Sequence, residues 1–201
     1  FDEVMLRFDG FEPGSRFKSA AARVSPTGRV PVLVDDDGFA VWDTLAIAET
    51  LAERFPERQL WPADARARAR ARSLCAEMHA GFGALRSHCP MNIEASLPQV
   101  GARIVAGQPA VRADLDRLAQ AWTEQLAASG GPLLFGAFTI ADAYYAPVAS
   151  RIRTYALPLP AEAAAYAERL LALPGVRAWI DGALAEREFL AFEEPYRSSR
   201  D

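Results

Sequence analysis

The sequence predicts two units of different class, a small α/β unit followed by an all-helical one. Three observations carry this. Short strand-like runs, split by an aspartate-rich turn, are confined to the first 56 residues. From Asp64 onward apolar residues recur at helical spacing. Between the two lies Glu57-Arg58-Gln59-Leu60-Trp61-Pro62, a linker whose Leu-Trp-Pro is expected to dock against both units. The boundaries read 1–56 for the first unit and 64–201 for the second.

In the first unit Glu3 to Phe8 alternate well enough for a strand, and Arg16 to Arg23 read as a short helix. Pro31–Val34 and Phe39–Trp42 form a hairpin through Asp35-Asp36-Asp37-Gly38. A helix follows. Its apolar stripe is Leu45, Ala48, Leu51, Ala52 and Phe55, and Pro56 ends it. Pro31 has no N–H to give to a ladder, so it marks an edge or a place where the preceding backbone faces outward. A cis Val30-Pro31 bond would turn the N–H and C=O of Val30 toward solvent, ready to pair with an extended peptide. A trans proline that simply opens a strand is the other reading. Asp43 and Thr44 sit at the helix start, where free N–H groups favour a carboxylate, the Thr44 hydroxyl adds a donor, and Asp43 can hold an ammonium. The head of an α-amino acid carries both charges. Plain N-capping needs the same two residues.

In the second unit Asp64 caps a helix that reads to about Arg86. Residues 88–109, with Pro90, Pro98, Gly101, Gly107 and Pro109, read as a long connection. Ala110 to Ala127 is helical, with Val111, Leu115, Leu118, Trp122 and Leu126 on one face and Gly130-Gly131 at its end. Further helices are expected near 139–155, 161–172 and 176–188. Pro147 should kink the first of these, and Pro174-Gly175 separates the last two. Thr139 and Asp142 form a capping box, although Ala143 is too small for a strong hydrophobic staple.

Composition narrows the function. The chain has 201 residues, 51% of them hydrophobic, enough for a substantial core in one or two domains. A net charge of −4 argues against general nucleic-acid binding. Arg66, Arg68, Arg70 and Arg72 alternate with alanines, but on a helix residues two apart diverge, which spreads the arginines over a solvated or subunit-contacting surface. Cys75 and Cys89 are too few for a disulfide framework, and with only His79 and His88 beside them no metal spacing is present. No run of about 18 apolar residues and no leader pattern occurs, so a cytoplasmic protein without a membrane partner is expected.

Val30-Pro31, the short hairpin and Trp42-Asp43-Thr44-Leu45-Ala46-Ile47-Ala48-Glu49-Thr50-Leu51 together resemble the thioredoxin-like domain of glutathione S-transferases. Gly136-Ala137-Phe138-Thr139-Ile140-Ala141-Asp142 is similar to the capping segment of that family's helical domain. The resemblance covers most of the chain. It implies a thioredoxin-like N-terminal domain followed by a glutathione-transferase-type helical bundle. It also implies that Val30 and Pro31 meet the glutathione backbone and that Asp43 and Thr44 hold the γ-glutamyl end. Arg29 stands near the place of the glycyl carboxylate, where a solvated arginine is the other reading. The family's order is β-α-β-α-β-β-α and this chain reads β-α-β-β-α, so it is expected to begin roughly 20–25 residues inside its natural domain. The catalytic Ser, Tyr or Cys is then expected upstream of Phe1 and is unknown.

A second substrate is expected between the domains, beside the first helix of the helical unit, where Cys75, His79, Phe82 and Arg86 recur at helical spacing. Buried Cys and Phe with a solvated His is the alternative there. Tyr144, Tyr145 and Tyr155 read as packing or as pocket. The implied activity is conjugation of the glutathione thiol to a small hydrophobic electrophile by a cytoplasmic homodimer engaged in detoxification. Glutathione is the co-substrate and no metal is required. Alternatives are a glutathione-dependent cis–trans isomerase of the zeta type, a non-catalytic scaffold that keeps the fold, and a thiol-disulfide oxidoreductase.

Overall fold

The chain divides after Gln59, and its two units are built by different means. The computed structural model describes residues 1–200.

In the first unit, helix α1, Arg16–Ala21, starts on Ser15, whose hydroxyl accepts the Lys18 N–H at 3.1 Å. Strands β1, Leu33–Val34, and β2, Ala40–Val41, pair antiparallel, Leu33 opposite Val41 and Val34 opposite Ala40. Their turn closes through the Gly38 N–H to the Asp35 carbonyl at 2.8 Å. Gly38 has φ 87, a conformation that glycine adopts at little cost. Helix α2, Thr44–Arg54, is followed by a single 3-10 turn at Pro56–Arg58. Arg54 grips Asp35 with two hydrogen bonds of 2.5 Å, which ties the end of α2 to the hairpin turn.

The strand expected over residues 3–8 is not formed. Alternation creates a strand only where neighbouring backbone supplies a ladder, and among the described residues the only sheet is the β1–β2 pair. Val4 is 80% exposed, and Phe8 instead joins a ring cluster with Phe11 and Phe17 at centroid distances of 4.7 and 5.3 Å.

The second unit consists of α3 Ala65–Ala80, α4 Gly83–His88, α5 Pro98–Gly107, α6 Pro109–Ser129, α7 Ile140–Tyr155, α8 Ala161–Ala172 and α9 Pro174–Glu186. Helix α7 packs against α3, α5 and α8, and α6 against α4, α5 and α8. Where α6, α7 and α8 meet, Trp122, Tyr145 and Tyr166 are fully buried, with Trp122 edge-to-face on both tyrosines at 5.4 and 4.8 Å. The expected face of α6, from Val111 to Leu126, is buried as read. Asp142, in the first turn of α7, is also wholly buried. Its carboxylate accepts from the N–H groups of Leu134 (3.2 Å) and Thr139 (2.9 Å) and from the hydroxyls of Thr139 (3.2 Å) and Tyr166 (2.9 Å). The capping box is thus part of a larger buried network.

Two expectations fail here for identifiable reasons. The helix read as continuous to Arg86 stops at Gly81, whose N–H bonds back to Glu77, and reverses at Phe82, φ 55. It restarts as α4, whose Leu85 N–H is taken by Asp114 Oδ2 at 2.9 Å. The connection read over 88–109 contains α5. Pro98 occupies its first turn, where a missing N–H costs nothing. Gly101 is required because a Cβ there would lie 1.8 Å from the Tyr155 carbonyl oxygen. Similarly Pro174 opens α9, and Pro147 lies inside α7.

Leu60 and Trp61 belong to this unit. The Leu60 carbonyl accepts the Ile140 N–H at 3.0 Å, and Trp61 is 7% exposed beneath the Arg72 guanidinium. Arg68 donates to the carbonyls of Pro62 (3.0 Å) and Ala63 (2.8 Å). Beyond α9 the chain returns along residues 88–94, with the Tyr196 hydroxyl on the His88 carbonyl (2.8 Å) and Asn92 on Glu194 (2.7 Å).

Candidate functional site

The candidate site is assembled by the hairpin. Leu33 faces Val41, so two residues further along each strand Pro31 and Asp43 leave the same open end of the pair. The register therefore brings together two motifs that are separated in the sequence. The approach to Pro31 is fixed locally. Ser25 is buried, its hydroxyl lies 2.8 Å from that of Thr27, and its Oγ accepts the Thr27 N–H at 3.3 Å. Gly28 follows at φ 58, and Lys18 Nζ donates to its carbonyl at 3.2 Å.

The Val30–Pro31 bond is cis, and so is Trp42–Asp43. Val30 is 51% exposed. Among the described residues neither its N–H nor its C=O has a hydrogen-bond partner. An unused donor and acceptor on exposed backbone can accept a peptide edge-on.

On the other side of the open end, Asp43 Oδ1 accepts the Leu45 N–H at 3.1 Å and the Thr44 hydroxyl at 3.3 Å. Asp43 is exposed and Thr44 half-buried. The pair therefore caps α2 while presenting a carboxylate, a hydroxyl and the positive end of the helix at the surface. Arg29 and Pro31 are exposed beside Val30. Lys18, which steadies the loop, was not singled out in the sequence. Its only signal there is a lysine on the one helix preceding that loop.

The residues expected to form a second-substrate pocket are not gathered on one face. Cys75 is 0% exposed, His79 stands exposed in the last turn of α3, and Phe82 is the buried residue at the reversal before α4. The break at Gly81 removes the single stripe on which the grouping depended. Tyr145 and Tyr155 are buried in packing. Among the described residues no group of three or more His, Cys, Asp or Glu is placed to hold a metal, and no helix is long and apolar enough to cross a membrane.

Comparisons with known proteins give the family. Residues 2–54 match the glutathione S-transferase N-terminal domain and residues 63–182 the glutathione S-transferase C-terminal domain. A glutathione transferase homolog from Burkholderia gl BGR1, solved with bound glutathione, is 28% identical over 84% of this chain and 80% of its own, with a TM-score of 0.62. A glutathione S-transferase from Rhodospirillum rubrum F11 is 28% identical over 83% of this chain and 76% of its own, TM-score 0.61. A glutathione transferase from Methylococcus capsulatus str. Bath is 28% identical over 81% and 77%, TM-score 0.57. With a thioredoxin-like unit followed by a helical one, and with the C-terminal match alone spanning more than half of its length, the chain belongs to the glutathione S-transferase family.

Proposed function

We propose that this chain binds glutathione at the open end of the β1–β2 hairpin and serves as a glutathione transferase acting on small hydrophobic electrophiles. The observation that carries the reading is the register that sets the exposed, unpaired backbone of Val30 beside the Asp43-Thr44 helix start. The Val30 N–H and C=O pair with the cysteinyl part of glutathione. Asp43 holds the γ-glutamyl ammonium, while Thr44 and the first turn of α2 hold its carboxylate. Arg29 meets the glycyl carboxylate. In the reaction the thiolate sulfur forms a bond to the electrophilic carbon, the leaving group departs with the bonding pair, and the thiol proton passes to solvent. The bound geometry contributes by holding the sulfur next to its target.

The test is calorimetric titration of the protein with glutathione, beside an Asp43→Ala/Thr44→Ala variant. The parent is expected to bind saturably and the variant at least about tenfold more weakly, the loss of a charge-assisted contact. No binding by the parent would overturn the reading. Saturable binding without turnover of 1-chloro-2,4-dinitrobenzene or other activated electrophiles would instead favour a scaffold that has kept only the ligand site.

A further inference from the structure

The second unit contains a cleft of about 580 Å³ between residues 90–94, the end of α9 and the returning segment beyond it. That volume suits a small organic ligand. Arg151, on α7, and Arg86, on α4, both line it. Arg151 donates from Nε to the Cys89 carbonyl at 2.9 Å and from Nη1 to the Pro147 carbonyl at 3.1 Å. Arg86 donates to the carbonyls of Met78 and His79, the latter at 3.0 Å. Carbonyl oxygens orient a guanidinium but do not neutralise it.

Among the described residues neither arginine has a carboxylate within ion-pair distance. Two of the glutamates in the wall are held by other arginines. Glu94 is held by Arg197 at 3.2 Å and Arg200 at 2.5 Å, and Glu194 by Arg197 at 2.5 Å. Glu193, also in the wall, acts on Arg151 only from beyond that range. Burial and then the Arg86 charge push the Arg151 guanidinium below its ordinary pKa, the signature of a cation without enough counter-charge. A half-buried arginine beside a like charge is costly unless an anion joins it. The rest of the lining includes Met91 and Leu184, exposed by 39% and 38%, with Ile93 and Leu190.

We infer that this cleft binds an amphipathic carboxylate, its charged end between Arg86 and Arg151 and its apolar body on Met91, Ile93 and Leu184. A single negative charge fits better than a phosphate dianion, because Glu186 and Glu193 share the wall and would repel the second charge. The inference stands on the second unit alone and not on the glutathione reading.

Titration of the intact protein with 4-phenylbutyrate and with uncharged 4-phenylbutanol tests it. The acid is expected to bind at least about tenfold more tightly than the alcohol, the worth of a charged hydrogen bond. Arg86→Gln and Arg151→Gln should each reduce that preference to about twofold or less and leave the alcohol unchanged. Arg86 is exposed, so its variant reports even where Arg151→Gln fails to fold. Equal affinities in the parent, no binding of the acid, or a preference that survives in Arg86→Gln would each overturn the proposal.

Discussion

The two units differ most in what holds them. Among the described apolar residues of the first unit only Ala21 is buried, and Val4, Phe11, Phe39, Trp42 and Phe55 are all exposed. The second unit buries Trp122, Tyr145, Tyr155 and Tyr166 together with the apolar faces of α6, α7 and α8. Short-range polar contacts shape the first unit, among them Ser15 on Lys18, Asp37 on Phe39 and Asp43 on Leu45. Long-range ones lock the second, such as Tyr166 on Asp142 and Thr154 on the Asn92 carbonyl. The candidate ligand face is thus shaped by local rules, while packing stabilisation is concentrated in another part of the chain.

Three substitutions sharpen that contrast. Asp142→Ala has the largest expected effect, because it leaves two buried N–H groups and the Tyr166 hydroxyl without their acceptor. A loss of about 3–5 kcal/mol of second-unit stability is expected, read from urea denaturation. Asp43→Ala removes only a helix cap and should cost the first unit about 1 kcal/mol, with the second unit's transition unmoved. An equal shift in both transitions would show that the units are not held separately.

The smallest effect concerns pH. The Arg54 hydrogen bond holds the Asp35 carboxyl below the usual carboxylate range. A lowered folded-state pKa contributes stability above the unfolded value and loses it as pH falls through the folded one. First-unit stability should therefore decline below about pH 4, and the decline should be shallower in Asp35→Asn. An identical acid limb in the two proteins would remove Asp35 from the account.

What could be read from the sequence follows the same division. Helix α2 was legible because Asp43 and Pro56 punctuate it, and the hairpin because Asp35-Asp36-Asp37-Gly38 is turn chemistry. The α6 face was legible from its period. The misreadings all depend on distant partners. Residues 3–8 alternate, but a strand also needs a neighbour. Pro98 and Gly101 looked like breakers until Tyr155 stood against Gly101, and the reversal at Phe82 depends on Asp114 capturing the Leu85 amide. Of the candidate site, Val30, Pro31, Asp43 and Thr44 were legible as motifs. The Arg86–Arg151 cleft was not, since its arginines come from separate helices and gain meaning only from the carboxylates they lack.

Hydrogen exchange of the protein with and without glutathione tests most directly the claim that the hairpin's open end is the ligand face. Glutathione is expected to slow exchange at the Val30 amide and across the first turn of α2. Unchanged exchange at both places under saturating glutathione would contradict it.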